Sequence, residues 1–360
     1  MSDRDPTPEL LLEALGAPPG QRALVYGGGL ALAGGLAARW PGQLLLADTS
    51  SARLAQALAA AGPRAAAAGV ALPPESYGQF DLAVLAAPQS RALARRWLVE
   101  ALAALRVGGA LYLGGPNDLG IRSQIDDAAA LFGGAAPLLA RRRARVARAV
   151  RPATPPAPPG WAAEPGVALA SWASFPAALP AMGGAVALAS LPGVFSYDHA
   201  DPATQLLLAH VGDPRGLRAL DLGCGCGIIG VALGLGGAAQ VDMLDESLYA
   251  VAAAQRNAAA LGLAQARAQA ADVRAPTLRG PYDLIATNPP FHQGKDVRYD
   301  VAHGFIAYAS ELLAPGGRFL LVANSFLRYE SVLRAQFAQV EKLAATPSFT
   351  LWQAQGALAK

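Results

Sequence analysis

LDLGCGCGIIG, residues 220–230, places an acidic residue and three alternating glycines between two short apolar runs. Glycine lets a backbone turn tightly and lets a ligand approach the peptide planes, while the unpaired N–H groups of a helix start face it. The stretch therefore predicts a strand, a ligand-binding turn and a helix in an α/β sheet. Alone it is ambiguous. Gly225, Gly227 and Gly230 also satisfy the G-x-G-x-x-G spacing of dinucleotide-binding folds, which leaves a nicotinamide- or flavin-dependent oxidoreductase as a rival of another class.

Outward from this stretch, apolar runs predict strands over Arg218–Leu222, Gln240–Leu244, Tyr282–Ala286 and Arg318–Ala323, with helical segments between them. The same order appears earlier, with strands over Arg22–Tyr26, Gln43–Ala47, Phe80–Ala86 and Ala110–Leu113 and the turn Gly27-Gly28-Gly29 after the first. The halves read as a duplicated parallel α/β fold. Between them RPATPPAPPGW, residues 151–161, holds five prolines, which suit neither a helix interior nor a central strand. Three regions follow: a first domain over 1–153, a linker with connecting elements over 154–190, and a second domain over 191–360. The connecting region is expected to lay a helix and a hairpin onto the second domain.

At 360 residues, two domains suit the length, and 53% apolar against 15% charged residues supplies ample core. A net charge of +3 permits nucleic-acid binding without arguing for it. The basic residues are unevenly placed, since Arg141, Arg142, Arg143, Arg145, Arg148 and Arg151 crowd one stretch that suits phosphates or a solvated hairpin face equally. The start MSDRDPTPEL has no basic segment followed by an apolar one, so a cytoplasmic protein is expected. The uncharged run 165–197 is long enough for a bilayer but is broken by Pro165, Pro176, Pro180 and Pro192, and no membrane partner is expected. Cys224 and Cys226 have no further cysteine pair or nearby histidines to complete a metal site, and none is expected.

Asp245 stands at the tip of the second strand of the second half, where a carboxylate accepts both hydroxyls of a ribose. Asp272 stands near the end of the next expected strand, Gln269–Val273, placed to accept from an adenine amino group. Asn288-Pro289-Pro290-Phe291 decides between the rivals. Paired prolines stiffen the backbone and hold the Asn side chain and the Pro289 carbonyl at the sheet's carboxyl edge, where both hydrogens of a planar amino group find acceptors. Phe291 offers a face on which a base stacks. Hydride transfer needs no such arrangement, whereas methylation of an amine does. A cysteine-dependent C5 methylation is disfavoured because both cysteines lie in the donor turn. His292 reads as an orienting or stacking group, and Lys295 and Arg298 as phosphate contacts.

Residues 288–333, beginning NPPFHQGKDVRYD, resemble the catalytic domain of bacterial ribosomal RNA small-subunit guanine-N2 methyltransferases, as does LPGVFSYDHADPATQLLL, residues 191–208. GGPNDLGIRS, residues 114–123, is similar to its counterpart in that family's N-terminal half, a degenerate copy of the methyltransferase fold. The resemblance implies two tandem class I methyltransferase-like, Rossmann-like α/β domains. It also implies S-adenosyl-L-methionine as methyl donor and methylation of a guanine N2 in 16S rRNA or the small ribosomal subunit; a monomer is expected. Carried over by residue, Asp221, Gly223, Gly225 and Gly227 would hold the methionine end of the donor, Asp245 its ribose, and Asp272 its adenine amino group. Asn288, Pro289, Pro290 and Phe291 would hold the target guanine. A sister family acting on 23S rRNA shares NPPFHQ and the run Asp245-Glu246-Ser247; adenine-N6 and glutamine-N5 methyltransferases share Asn-Pro-Pro-aromatic. The first half lacks the acid before its glycines and runs into Ala87-Pro88-Gln89-Ser90, so it is expected to recognise RNA and support the second half rather than catalyse.

Overall fold

The computed structural model describes residues 5–16, 20–180, 183–272, 278–290, 292–293, 296–297 and 299–358, with backbone alone for those from 292 to 300. The chain divides into two compact units, Met1–Ala173 with Leu191–Gly193, and Ser174–Ser190 with Val194–Lys360. Among the described residues no helix is long and apolar enough to cross a membrane.

The first unit opens with α1 (Thr7–Leu15), β1 (Arg22–Tyr26), α2 (Gly29–Arg39), β2 (Gln43–Ala47), α3 (Ser51–Ala61) and β3 (Ala65–Ala67). It continues through β4 (Phe80–Ala86), α4 (Arg91–Ala104), β5 (Leu105–Pro116), α5 (Ile121–Phe132), β6 (Ala136–Arg141) and β7 (Ala144–Val150). Its seven strands lie in the order β3-β2-β1-β4-β5-β7-β6, the first five parallel and β7 antiparallel to both neighbours. Among its described residues the connecting region supplies a short 3-10 turn, Gly160–Ala163, followed by the two-stranded sheet of β8 (Ala173–Leu179) and β9 (Gly184–Ser190). The expected helix there is not formed, because the prolines remove the donors a helix needs.

The second unit holds α6 (Pro202–Leu208), β10 (Arg218–Leu222), α7 (Ile228–Leu235), β11 (Gln240–Asp245), α8 (Leu248–Ala260), β12 (Ala266–Ala270) and β13 (Tyr282–Thr287). Then come β14 (His292–Gln293), β15 (Asp296–Val297), α9 (Tyr299–Leu312), β16 (Leu313–Asn324), α10 (Glu330–Arg334), β17 (Phe337–Ala345) and β18 (Phe349–Ala357). Its order, β12-β11-β10-β13-β16-β18-β17, repeats the first sheet strand for strand. The strand expected over Gln269–Val273 begins and ends earlier: the parallel ladder of β12 with β11 runs from Val241↔Ala266 to Asp245↔Ala270 and leaves Asp272 beyond it. Alanine-rich sequence gives no period from which to read that register.

The duplication extends to single residues. Arg22 lies over the Phe80 ring at 4.9 Å and Arg218 over the Tyr282 ring at 4.3 Å. Asp81 accepts from Arg22 N at 3.1 Å and Asp283 from Arg218 N at 2.8 Å, tying the first strand of each sheet to the fourth. β5 and β16 run 12 residues each, longer than the apolar pattern predicts. Gly108 and Gly316, both at φ 78°, let each strand bulge and continue. Under the second sheet Leu220, Leu222, Tyr282, Ile285, Phe305, Ile306, Phe319 and Phe337 form a core that holds its strand ends in place.

Candidate active site

β11, β10 and β13 are neighbours, so the segments after their last residues share one carboxyl edge, where strand order reverses and open α/β sheets bind ligands. The pairs Leu222↔Leu244 and Asp221↔Ala286 set the depth of the three ends. Thr287 Oγ1 donates to Leu222 O at 2.7 Å, pinning the residue before Asn288 to the start of the glycine turn.

Gly223, Gly225 and Gly227 hold φ of 75°, 54° and 85° in that turn, a region costly to other residues. The N–H groups of Gly223 and Cys224 both donate to Leu244 O, at 2.8 and 2.9 Å. Gly230 is needed for space: a Cβ there would lie 2.5 Å from Met243 Cγ, so only glycine lets α7 sit this close to β11. Asn257 of α8 braces the turn from beside it, its Nδ2 donating at 2.9 Å to the carbonyls of Cys226 and Ala189.

Asp221 is 0% exposed, and its Oδ2 accepts from Gly230 N at 2.8 Å. Among the described residues its Oδ1 is buried without a hydrogen-bond partner. Burial pushes the carboxyl up to about 7 against the pull of the Gly230 N–H, and the nearby Asp245 adds to the rise. Asp245 ends β11 half-buried; its Oδ2 accepts from Gly225 N at 2.9 Å and its Oδ1 from Ser247 N at 2.8 Å. Its carboxyl is also raised by burial, with the two N–H donors opposing. Asp272 follows Ala271, whose N–H donates to Asp245 O at 2.9 Å, so it stands on the same edge, half-buried. Burial raises both thiols of the turn, Cys226 up to about 12, and both remain neutral at physiological pH.

Asn288 is half-buried, Pro289 buried and Pro290 exposed. Asn288 Nδ2 donates to Asp201 Oδ2 at 2.9 Å and to Thr204 Oγ1 at 3.0 Å. Among the described residues no donor engages its Oδ1. Phe291, Lys295 and Arg298 lie outside the described residues, and of His292 only the backbone, in β14, is described. The expected site residues that are described, Asp221, Gly223, Gly225, Gly227, Asp245, Asp272, Asn288, Pro289 and Pro290, thus gather on one edge. Asp201 and Thr204 are the partners that sequence reasoning passed over. Asp-Pro before an apolar run marks a helix start, yet nothing local links it to an Asn 87 positions later.

The equivalent edge of the first unit differs. Asp48 stands after β2 as Asp245 ends β11, and its Oδ1 accepts from Ser50 N at 2.9 Å, as Asp245 does from Ser247. Arg53 then covers the carboxylate, with Nη2 2.7 Å from Oδ1 and Nε 3.2 Å from Oδ2. In parallel register Val25 occupies the place of Asp221 and Ala86 that of Asn288.

Residues 185–353 match the family model described as Methyltransferase small domain. The ribosomal RNA small subunit methyltransferase C of Chromohalobacter salexigens is 37% identical over 278 residues, covering 76% of this chain and 77% of that protein. That of Pseudomonas entomophila is 36% identical over 277 residues, covering 76% and 79%. The solved T. thermophilus 16S rRNA N2 G1207 methyltransferase, in complex with AdoMet and guanosine, superposes with a TM-score of 0.81. It is 34% identical, with 98% of this chain and 92% of that one covered.

Proposed function

The chain belongs to the ribosomal RNA small subunit methyltransferase C family, and from that membership we propose that it transfers a methyl group from S-adenosyl-L-methionine to the exocyclic N2 of a guanine in 16S rRNA. The observation that supports this most is Asn288, whose amide nitrogen is fully engaged by protein while its oxygen has no donor among the described residues, beside the glycine turn.

The turn fits a cationic nucleoside-bearing donor. A buried carboxylate with one oxygen, Asp221 Oδ1, that has no partner among the described residues suits a cationic partner, and Asp245 offers a carboxylate at the strand tip where ribose hydroxyls are accepted. Asp221, Gly223, Gly225 and Gly227 would hold the methionine end, Asp245 the ribose and Asp272 the adenine amino group. When bound, S-adenosyl-L-methionine supplies a methyl group already activated by its sulfonium.

The chain's own work is positioning. A guanine N2 lone pair is delocalised into the ring and is a poor nucleophile. Asn288 Oδ1 and the Pro289 carbonyl accept the two N2 hydrogens, draw electron density onto nitrogen and oppose the positive charge that develops there. The target base must be unstacked or flipped to reach the edge, where Phe291, outside the described residues, would offer it a stacking face. No strong base is obligatory, and the released proton passes to water. The first unit, with its acid covered by Arg53 and no Asn-Pro-Pro, serves RNA recognition over residues 1–153. The enzyme acts in the cytoplasm, where the small subunit is made.

The test is to incubate the purified chain and methyl-labelled donor with 16S rRNA, small subunits and 23S rRNA, then analyse nucleosides by mass spectrometry. N2-methylguanosine in the 16S samples is the expected product. Label confined to 23S rRNA, to N6-methyladenosine or to protein would overturn the assignment.

A further inference from the structure

We propose that Asp201, with Thr204, is a positioning residue for this reaction, fixing which end of the Asn288 amide faces the substrate and strengthening its oxygen as an acceptor. The inference rests on the reading of Asn288 given above. An Asn side chain presents a carbonyl and an NH2 group of nearly the same shape, so an amide clamp works only if something dictates its orientation.

Here both hydrogens of Nδ2 are spent, on Asp201 Oδ2 at 2.9 Å and Thr204 Oγ1 at 3.0 Å. The Thr204 hydroxyl gives its own hydrogen to Asp201 Oδ2 at 3.2 Å, so it turns a lone pair, not a donor, toward Asn288. Turned over, the amide would set its oxygen against a carboxylate and a hydroxyl with no hydrogen to offer. One orientation survives, and it leaves Oδ1 for a ligand. An ionised acceptor at the nitrogen end also shifts electron density along the amide toward Oδ1. That oxygen thereby gains negative character where the methylated nitrogen gains positive charge.

The device is itself anchored. Asp201 caps α6, its Oδ2 accepting from Thr204 N at 2.8 Å, and Thr204 is buried. A carboxylate is not required for the cap alone, since Asn caps a helix about as well as Asp. Asp201→Asn therefore keeps the cap, the shape and an oxygen facing both Thr204 N and Asn288 Nδ2, while removing the charge that strengthens Asn288 Oδ1 as an acceptor.

Single-turnover methyl transfer to 16S rRNA at saturating donor and RNA is to be measured for wild type, Asp201→Asn, Asn288→Ala and the double variant, with donor affinity by calorimetry. Asp201→Asn is expected to slow transfer roughly tenfold to a hundredfold, less than Asn288→Ala does, with donor affinity unchanged. In the Asn288→Ala background it should add no further loss, because there is no amide left to polarise. A simple cap predicts either no loss or the same loss in both backgrounds. If Asp201→Asn does not fold, Thr204→Val should slow transfer and Thr204→Ser restore it. Wild-type chain that binds donor but methylates no rRNA overturns the reading of the site and this inference with it. Active wild type with Asp201→Asn within about threefold of its rate, or an equal fold loss on the Asn288→Ala background, overturns this inference alone.

Discussion

Asp221 combines complete burial, one satisfied oxygen and one without a partner among the described residues, and these have a measurable consequence. Its folded pKa of about 7 lies above the ordinary 3.8, so the native chain holds a proton there that the unfolded chain has released. The sign follows: as pH rises from about 4 to about 7 this group lowers the stability of the donor-free protein. A cationic donor pairs only with the ionised form and must expel that proton, so its affinity should increase as pH rises toward about 7, with proton release on binding. Asp245, also raised by burial, contributes in the same direction, whereas the neutral thiols of Cys224 and Cys226 do not titrate in this range. Calorimetry between about pH 5.5 and 7.5 in buffers of different ionisation enthalpy measures both quantities. Asp221→Asn should flatten most of the dependence; an unchanged slope would place the titrating group elsewhere.

α4 shows what a single element does for its unit. Its sequence is too charged for an ordinary core helix, yet Arg96 is only 1% exposed. The guanidinium donates to Gly166 O at 2.7 Å, Ser171 O at 2.9 Å and Val70 O at 3.1 Å, and lies 3.3 Å from Glu100 one turn on. Burial pushes Glu100 up to about 7 against the pull of Arg96. These bonds tie the segment after the proline run into the first unit, and they explain why that unit extends to Ala173. Arg96→Met leaves a buried carboxyl and three carbonyls without their donor, and should cost about 3 to 5 kcal/mol in urea unfolding. Replacing Glu100 by Leu as well should recover part of that loss. A single variant within about 1 kcal/mol of wild type would show that water satisfies these groups instead.

Over the whole molecule the net charge is small, so RNA affinity depends on where cations remain available. The arginine run folds as the hairpin of β6 and β7 and divides by role. Arg141 pairs with Glu13, Arg142 with Glu9 at 2.6 Å, and Arg151 donates to Leu105 O and to Ala103 O at 3.1 Å. Arg143 is exposed in the turn, Arg145 bonds the neutral Asn117 at 3.0 Å, and Arg148 is exposed over Tyr112. Replacing Arg143, Arg145 and Arg148 by Ala should weaken rRNA binding and lower the salt slope by about 1 for each phosphate no longer neutralised. Transfer at saturating RNA should be unaffected. Replacing the paired Arg141 and Arg142 should do less. An unchanged slope in the triple variant would make the hairpin a solvated face.

Short-range chemistry made much of this protein legible from its residues. The turn at 223–227 needs glycine wherever it occurs, the strands before it are apolar because both sheet faces are covered, and the repeat of that order revealed two copies of one fold. Asn288-Pro289-Pro290 suggests an amino clamp, the role proposed for it above, because prolines stiffen a loop regardless of what surrounds it. Three things were decided by the geometry of the folded chain, which the patterns read from the sequence do not encode. The register of β12 places Asp272 beyond the strand rather than in it. Arg53 covers Asp48, although the acid at that strand tip looks the same in sequence as Asp245. Asp201 reaches Asn288 only after α6 and β13 are packed at one edge, so the orientation of the amide, which decides whether it accepts or donates, belongs to the tertiary structure alone.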